Sequence, residues 1–399
     1  MGADHGHHGG EVTITPHMRH VVLAVLVPLV LATIAGIVLL WPSGEHATIE
    51  GAERYNGTIQ EIRECQDSPD PQCLEATVRV ESGPDDGAAV IVAVPYGPGV
   101  PEFHVGDAVV MYGNQEWPIQ DRYTIDDFQR SVPLALLAVL FAVAVVVLSR
   151  WRGVAALAGL ALSVLVLTVF ILPALLEGTT PLVVAVVGAS AIMMVTLYLA
   201  HGFSMKTSVA LIGTVVSLSL TGLLGYGFTH FANLVGLGDE SISYLGAIAE
   251  QIDLRGLLLA GLVIGALGVL DDVTVSQAST VWELARANPQ AGRRYLFGAG
   301  LRVGRDHVAA TVNTLVLAYA GASLPLLMLF TVADRPVLDV LTMELIAQEV
   351  VRALVGSIGI VAAVPVTTAL AAITVREATR PTRARRSRGR RARRTAEVA

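Results

Sequence analysis

Residues 132–149 read VPLALLAVLFAVAVVVLS, a run without any charged side chain. A helix that crosses a membrane needs about 20 mostly apolar residues. Further apolar runs lie on both sides of this one. Together they predict eight spans, over 21–41, 132–149, 154–173, 181–200, 208–228, 256–270, 307–330 and 350–375. The sequence therefore predicts a polytopic α-helical membrane protein whose first partner is the lipid bilayer.

The composition supports this class. Of the 399 residues, 53% are hydrophobic and only 15% are charged, whereas soluble domains carry about 25% charge. This excludes a disordered protein, a coiled coil and an ordinary cytosolic enzyme. The first apolar run is longer than the core of a signal peptide, which has about 7–15 residues. We therefore predict an uncleaved transmembrane anchor over 20–42, preceded by a His-rich tail over 1–19.

The distribution of Lys and Arg among the short loops predicts the orientation, because these residues favour the cytoplasmic side. The turns at 149–153 and 201–206 and the loop 271–306 are basic, and the tail 376–399 holds ten arginines. The alternate loops, 174–180 and 229–253, contain neither Lys nor Arg. We predict that both termini are cytoplasmic, in the plasma membrane.

The Arg-rich tail is expected to lie on anionic lipid headgroups. On a polytopic protein this explanation is simpler than nucleic-acid binding, so no nucleic acid is expected as a partner.

Residues 43–128 differ from the rest, with 17 acidic residues and four arginines. The loop charges place this segment outside the cytoplasm. Short alternating runs bounded by Gly, Pro, Asn and Asp predict strands, over 58–63, 75–80, 88–94 and 108–112. We predict a small extracytoplasmic antiparallel β-barrel or sandwich with five or six strands, similar in size to an OB-fold.

Both cysteines lie in this segment. Cys65 and Cys73 flank a Pro-rich polar loop, and a disulfide is expected for such a pair in an extracytoplasmic domain. The alternative is two free thiols. A metal site would need more ligands than these two cysteines offer.

Polar residues inside the apolar part concentrate in spans 6 to 8. Charged side chains in spans are costly and usually face the bundle interior or a water-filled cavity. The candidate polar centre for transport consists of Asp271, Asp272, Arg302, Arg305, Asp306 and Asn313, with Ser276, Gln277 and Ser357 around it. An unpaired carboxylate at this depth costs several kcal/mol. We therefore predict that these residues converge near the cytoplasmic half of the bundle.

Packing in this region is predicted from the glycines Gly261, Gly265 and Gly268, which share one face of span 6. Small residues allow helices to approach closely, so span 7 or 8 is expected to pack there.

Each candidate also has a structural explanation. Asp271 could be a solvated carboxylate at a helix end, and Asp306 could pair with Arg302 four residues earlier. Asn313 could make an interhelical hydrogen bond that fixes packing. Glu349 and Arg352, three residues apart, have the spacing of a solvated surface pair.

Several long motifs in this half resemble the YibE/F-like family of membrane proteins. They are GALGVLDDVTVSQA (265–278), Trp282-Glu-Leu, Ala287-Asn-Pro, Gly304-Arg-Asp, Asn313-Thr-Leu-Val-Leu-Ala-Tyr-Ala-Gly321, Leu354-Val-Gly-Ser-Ile-Gly359 and the junction 123–130. The resemblance covers the seven spans over 131–375. It implies a multi-span integral membrane protein with an outward β domain. It brings no established activity, substrate or catalytic residue.

Motifs of common enzymes are absent from the sequence: there is no Gly-x-Ser-x-Gly, His-Glu-x-x-His, Walker A or dinucleotide fingerprint. We expect no enzyme activity and no cofactor. An intramembrane aspartyl enzyme would need carboxylates that face each other from different elements, for which only Asp271 with Asp306 is conceivable. The His-rich start could bind a transition metal, but its histidines lack fixed spacing, so we assign no metal site.

The sequence predicts a transporter or channel for a small ion or solute, with a cation among the candidates. The alternative is a membrane scaffold or accessory subunit that binds an extracytoplasmic protein through its β domain.

Overall fold

The computed structural model describes residues 16–44, 53–65, 73–97, 100–119, 121–236, 252–332 and 336–375. The chain divides into two compact units, one comprising residues 1–47 and 151–399 and the other residues 48–150. The predictions for the histidines before residue 16 and for the Arg-rich tail lie outside the described residues.

The smaller unit contains a five-stranded antiparallel sheet with strand order β3-β2-β1-β4-β5. The strands are β1 (Glu53–Glu64), β2 (Leu74–Val80), β3 (Ala89–Val94), β4 (Ala108–Gly113) and β5 (Tyr123–Phe128). The end strands β3 and β5 contact each other, so the sheet curls into a half-barrel. The predicted small antiparallel β domain is confirmed. The prediction missed β5, whose sequence YTIDDF alternates only over its first half.

Alternating side chains build the core of this sheet. Val90, Val92 and Val94 of β3 are buried, while Ala89, Ile91 and Ala93 are exposed, as the two-residue period of a strand requires. The predicted disulfide between Cys65 and Cys73 is present. It joins the strand ends of β1 and β2, where the Cys65 N–H also donates to the Cys73 carbonyl at 3.1 Å.

An ion pair links the β2–β3 turn of the same unit to the start of β5. Asp85, in the turn between β2 and β3, accepts hydrogen bonds from Tyr123 Oη at 2.6 Å and Arg122 Nη1 at 2.5 Å. The bonds from Tyr123 and Arg122 lower the pKa of Asp85. Burial, and then the bond to Asp85, raises the pKa of Tyr123 to about 12. The turn is thereby fixed to the start of β5. The unit ends in α2 (Ser131–Ser149), none of whose residues is buried.

The larger unit is helical. Its elements are α1 (Pro16–Leu39), α3 (Trp151–Val166), which continues through a π-helical turn (Leu167–Ile171) into α4 (Leu172–Leu176), α5 (Pro181–His201), α6 (Met205–Phe231), α7 (Leu254–Ala287), α8 (Arg293–Ala322), α9 (Leu324–Val332), α10 (Val337–Thr342) and α11 (Glu344–Thr374). Among the described residues of the whole chain, seven helices are long and apolar enough to cross a membrane. This confirms the multi-pass class.

The seventh predicted span, 307–330, is bent. Helices α8 and α9 meet at 59° around Ser323, and together they count as one further span. Pro325 is the second residue of α9. It has no N–H to continue the hydrogen bonding of α8, and its ring crowds the preceding turn. Proline therefore explains the bend.

Helices α6, α7 and α11 form the centre of the bundle, with α5 packed on α7 and α8 packed on α7 and α11. Glycines permit several of these contacts. A Cβ atom on Gly300 would lie 2.9 Å from Thr368 Cγ2, and one on Gly304 would lie 2.8 Å from Gln277 Oε1. Gly213 lies against Thr367 and Gly359 against Thr221 in the same way. Glycines of α6, α8 and α11 therefore permit close helix approaches at the centre of the bundle.

The predicted close packing of a neighbouring helix backbone on the glycine face of α7 does not occur, and α8 and α11 approach this face through the ends of the Tyr319 and Arg352 side chains. Gly261, Gly265 and Gly268 are all exposed, and a Cβ on Gly268 would meet no atom within 4 Å. The buried face of α7 consists instead of large side chains such as Leu262, Leu267 and Leu270. These side chains bury far more apolar surface than glycines would, which decides the face that packs.

The segment after α1 is fastened to the end of α4. The Trp41 ring stacks on Phe170 with 6.0 Å between centroids. The backbone N–H groups of Ser43 and Gly44 donate to the carboxylate of Glu177 at 3.0 and 2.8 Å.

Candidate functional site

A polar strip runs along the exposed face of α7. Gly261, Gly265, Gly268 and Asp272 follow one another at spacings of four, three and four residues, so they share one side of the helix. The strip is about 16 Å long at 1.5 Å per residue. Together with the polar side chains of α8 and α11 that approach it, we call it the glycine groove.

Three polar side chains meet the groove at three levels. A Cβ on Gly261 would lie 3.9 Å from Arg352 Nη2, and one on Gly265 would lie 3.2 Å from Tyr319 Oη. At the far end, His307 Nε2 lies 3.9 Å from Asp272 Oδ2. The groove therefore offers a guanidinium, a phenol and an imidazole opposite a glycine backbone.

One end of the groove holds the pair Glu349 and Arg352, whose side chains lie 2.9 Å apart. The sequence suggested a solvated surface pair, but the two side chains are only 28% and 27% exposed. Arg352 Nε is buried, and among the described residues it has no hydrogen-bond partner. The Nε–H of the guanidinium is thus a donor that no group in the described part of the chain uses.

The other end holds the two carboxylates. Asp272 is 77% exposed, and its distance to His307 exceeds that of a direct hydrogen bond. Asp271 Oδ1 and His307 Nε2 are buried, and neither has a hydrogen-bond partner in the described part of the chain. Buried polar atoms are almost always hydrogen-bonded. This end therefore has unused capacity to bind a proton, a cation or water.

Asp271 is not a helix-end residue. Helix α7 continues to Ala287, about four turns beyond Asp272. None of the ion pairs among the described residues joins an arginine or lysine to Asp271 or Asp272. The two adjacent carboxylates therefore lack an arginine or lysine partner within this part of the chain, and His307 is the ionisable side chain beside them.

A second polar cluster lies inside the bundle, and its side chains are hydrogen-bonded to other groups of the protein. Thr214 and Thr274 bring their hydroxyl oxygens to 2.6 Å. Gln277 Nε2 donates to the Gly300 carbonyl and to Thr368 Oγ1, both at 2.7 Å. Gln277 therefore joins α7, α8 and α11, which is a packing role.

The other two residues predicted around the site bond only within their own helices. Ser276 Oγ donates to the Asp272 carbonyl at 2.7 Å, and Ser357 Oγ donates to the Ala353 carbonyl at 2.7 Å.

The structure does not bring the candidate residues of α8 to the carboxylate pair. Arg302, Arg305, Asp306 and Asn313 are exposed. Gly300 and Gly304 set the rotation of α8 because they form its closest contacts. Asp306 lies two residues after Gly304, about 200° around the helix. The side chain of α8 that lies beside the carboxylate pair is His307 instead.

Sequence reasoning missed His307 and Tyr319 as groove residues and treated Arg352 as a surface residue. One signal was present: the glycine spacing continues to Asp272 and so places that carboxylate, rather than Asp271, on the glycine face. No comparable pattern in the sequence indicated which side of α8 faces α7.

Comparison with known proteins gives one match. A family model described as YibE/F-like protein matches residues 137–377. No curated protein and no solved structure matches the chain. The match begins inside α2 and includes α3 to α11, so every residue of the glycine groove lies within it. The half-barrel lies before it.

Proposed function

The chain belongs to the YibE/F-like family, and from that premise we propose that it is a transporter or channel that moves a small ion or solute along the glycine groove. The observation that carries the proposal is the carboxylate end of the groove, where Asp271 and Asp272 have no arginine or lysine partner among the described residues and His307 lies 3.9 Å from Asp272. Ionisable groups in membrane segments are costly and mark ion and substrate pathways.

The extent of the groove supports a path rather than a single polar contact. Its levels span about 16 Å, roughly half of a hydrocarbon core of about 30 Å. Glycine at 261, 265 and 268 leaves the α7 side of the path free of side chains, while Arg352 and Tyr319 approach it from α11 and α8. Apolar side chains at these positions would fill it without any loss of helix formation.

The charges favour a cation as the solute or as a coupling ion. Arg352 is neutralised by Glu349 at 2.9 Å, whereas Asp271 and Asp272 have no such neutralisation in the described residues. The segment 43–128 adds 17 acidic residues against four arginines. An acidic extracytoplasmic segment would raise the concentration of cations on that side of the membrane. The proposal includes no enzymatic step on the solute.

We also propose a plasma-membrane location with both termini cytoplasmic and residues 43–128 extracytoplasmic, supported by the loop charges. The Arg-rich tail would then face anionic lipid. A membrane-impermeant thiol reagent on intact cells is expected to label Cys65 and Cys73 only after reduction. Labelling without reductant would contradict the disulfide, and no labelling under any condition would contradict the orientation.

One observation favours the scaffold alternative. Ile91, Trp117 and Ile119 are exposed on the half-barrel and line a surface groove beside the disulfide. Exposed aromatic and aliphatic side chains in a groove are typical of protein-binding sites. An extracytoplasmic protein partner is the corresponding proposal.

Flux measurements on matched variants test the transport proposal. The purified chain in lipid vesicles is assayed with a series of cations and small metabolites, first for thermal stabilisation and then for flux. A ligand at 100 times its dissociation constant adds about 2.7 kcal/mol. Asp272→Asn is expected to abolish flux while retaining the fold. The control is Glu283→Gln, which removes an exposed carboxylate of the same helix that pairs with Arg286 at 2.9 Å.

Unchanged flux and unchanged ligand stabilisation in Asp272→Asn would contradict transport along this groove. If, in addition, Trp117→Ala causes the cellular defect of a deletion while Asp272→Asn does not, the scaffold function replaces the transport function.

A further inference from the structure

The face of α8 that points away from α7 and α11 carries a regular seam. Its members are all exposed and follow one another at spacings of three, four, three, four and three residues: Val303, Asp306, Ala310, Asn313, Leu317 and Ala320. This alternation of three and four residues is that of helices that pack along their length as a coiled coil. The seam is distinct from the side of α8 that carries His307.

Lipid is a poor cover for this seam. Asn313 lies about 10 Å from Asp306 along the helix axis, towards the apolar half of α8. Among the described residues no hydrogen-bond partner is found for its side chain. The neighbouring Thr314 differs, since its hydroxyl donates to the Ala310 carbonyl at 3.0 Å. An unpaired amide in hydrocarbon is costly, so a polar surface must cover Asn313.

We propose that the seam is the interface of a parallel homodimer, in which α8 packs on α8 of a second copy. A two-fold axis along the membrane normal places each residue opposite its own copy at the same depth. A carboxamide contains both donors and an acceptor, so two Asn313 side chains satisfy each other. Ala310 and Ala320 are small enough to let the helices approach closely.

The charges next to the seam favour a copy of this chain over a different protein. Arg302 and Arg305 are exposed beside Asp306, and none of these three forms an ion pair within the described residues. In a two-fold dimer the two Asp306 carboxylates lie opposite each other at the seam, with Arg302 and Arg305 of both helices next to them. Charges beside a coiled-coil seam select partner and orientation, and here the arginines of both copies offset the two carboxylates.

A buried asparagine in a seam also fixes register. Shifting one helix by a turn would leave both Asn313 amides among Ala310 and Leu317. A single polar residue at a core position specifies register and oligomer state in coiled coils for this reason. The dimer is therefore expected to have one alignment.

Cysteine cross-linking in native membranes tests the proposal. The natural cysteines are joined to each other, so one introduced thiol can react only between chains. Asn313→Cys, Ala310→Cys and Leu317→Cys are expected to give oxidised dimers at least tenfold more efficiently than Thr314→Cys. Thr314 is a matched control because it is exposed at the same depth but points about 100° away. Equal yields at 313 and 314, or none at any seam position, would overturn the proposal.

A second measurement, of dimerisation in lipid, distinguishes a homodimer from a seam that another helix of the same chain covers. Asn313→Leu is expected to weaken dimerisation in lipid by roughly 5- to 30-fold, the equivalent of one interhelical hydrogen bond, while Thr314→Leu leaves it unchanged. Melting temperatures report whether each variant folds. If Asn313→Cys instead cross-links within one chain to a cysteine placed on α2, as in Val139→Cys, the chain covers its own seam and the homodimer is wrong.

Discussion

Helices α7 and α8 both carry glycines at helical spacing, yet the two sets do opposite things. On α8, Gly300 and Gly304 let the helix touch Thr368 and Gln277 so closely that a single added carbon would collide. On α7, Gly268 has no atom within 4 Å of the position of a Cβ. On α8 the absence of a side chain allows close contact with another helix, whereas at Gly268 of α7 it leaves open space. Only the neighbours of a glycine decide which use applies.

Filling a contact glycine is expected to have the largest effect. In Gly304→Leu the new side chain must displace Gln277 and Val364, and overpacking of this kind costs about 1–3 kcal/mol, occasionally more. We expect a large fall in the melting temperature of the purified protein. The control is Gly321→Leu on the same helix, where no atom lies within 4 Å. Equal melting temperatures would remove the distinction between the two sets.

Filling a space glycine is expected to affect transport and not stability. Gly268→Leu places an isobutyl group in the glycine groove, so flux should fall at least tenfold while the melting temperature stays near that of the wild type. Gly227→Leu, an exposed glycine of α6 without a neighbour within 4 Å, should leave flux unchanged. A parallel loss in both variants would show that the groove has no special role.

Removing the amide beside the contact glycines is a milder change. Gln277→Leu removes the two hydrogen bonds that Gln277 donates to the Gly300 carbonyl and to Thr368. An interhelical hydrogen bond in a membrane is worth about 1 kcal/mol. Thermal unfolding should show a modest destabilisation. Ser276→Ala, whose hydroxyl bonds only within its own helix, should change the melting temperature less; the reverse order would contradict the packing role.

The smallest expected effect has opposite signs in the two helices. Gly268→Ala adds a methyl group in open space and improves helix propensity by about 0.5–1 kcal/mol. It should therefore stabilise slightly. Gly304→Ala should destabilise despite the same gain in propensity. Differential scanning of both variants under one condition measures the contrast, and the same sign in both would refute it.

The sequence was sufficient wherever periodicity and length carry the information. Apolar runs located the membrane helices, alternation located four of the five strands, and the isolated cysteines predicted their own disulfide. Helical spacing also identified the glycine face of α7 and the shared face of Asp306 and Asn313. It could not tell which face of each helix packs, since that depends on what the neighbouring helix presents. Asp306 and Asn313 were therefore assigned to the carboxylate pair, whereas His307 lies beside it.

The fastening between the segment after α1 and the end of α4 has a mechanical consequence. Tension entering through the chain at Gly44 would reach Glu177 by two backbone hydrogen bonds and Phe170 by the Trp41 stack, before it could pull on α1 itself. Phe170 lies in the π-helical turn Leu167–Ile171, and π-turns are locally wider than the α-helix around them. The load would therefore reach this π-helical turn before the rest of the span.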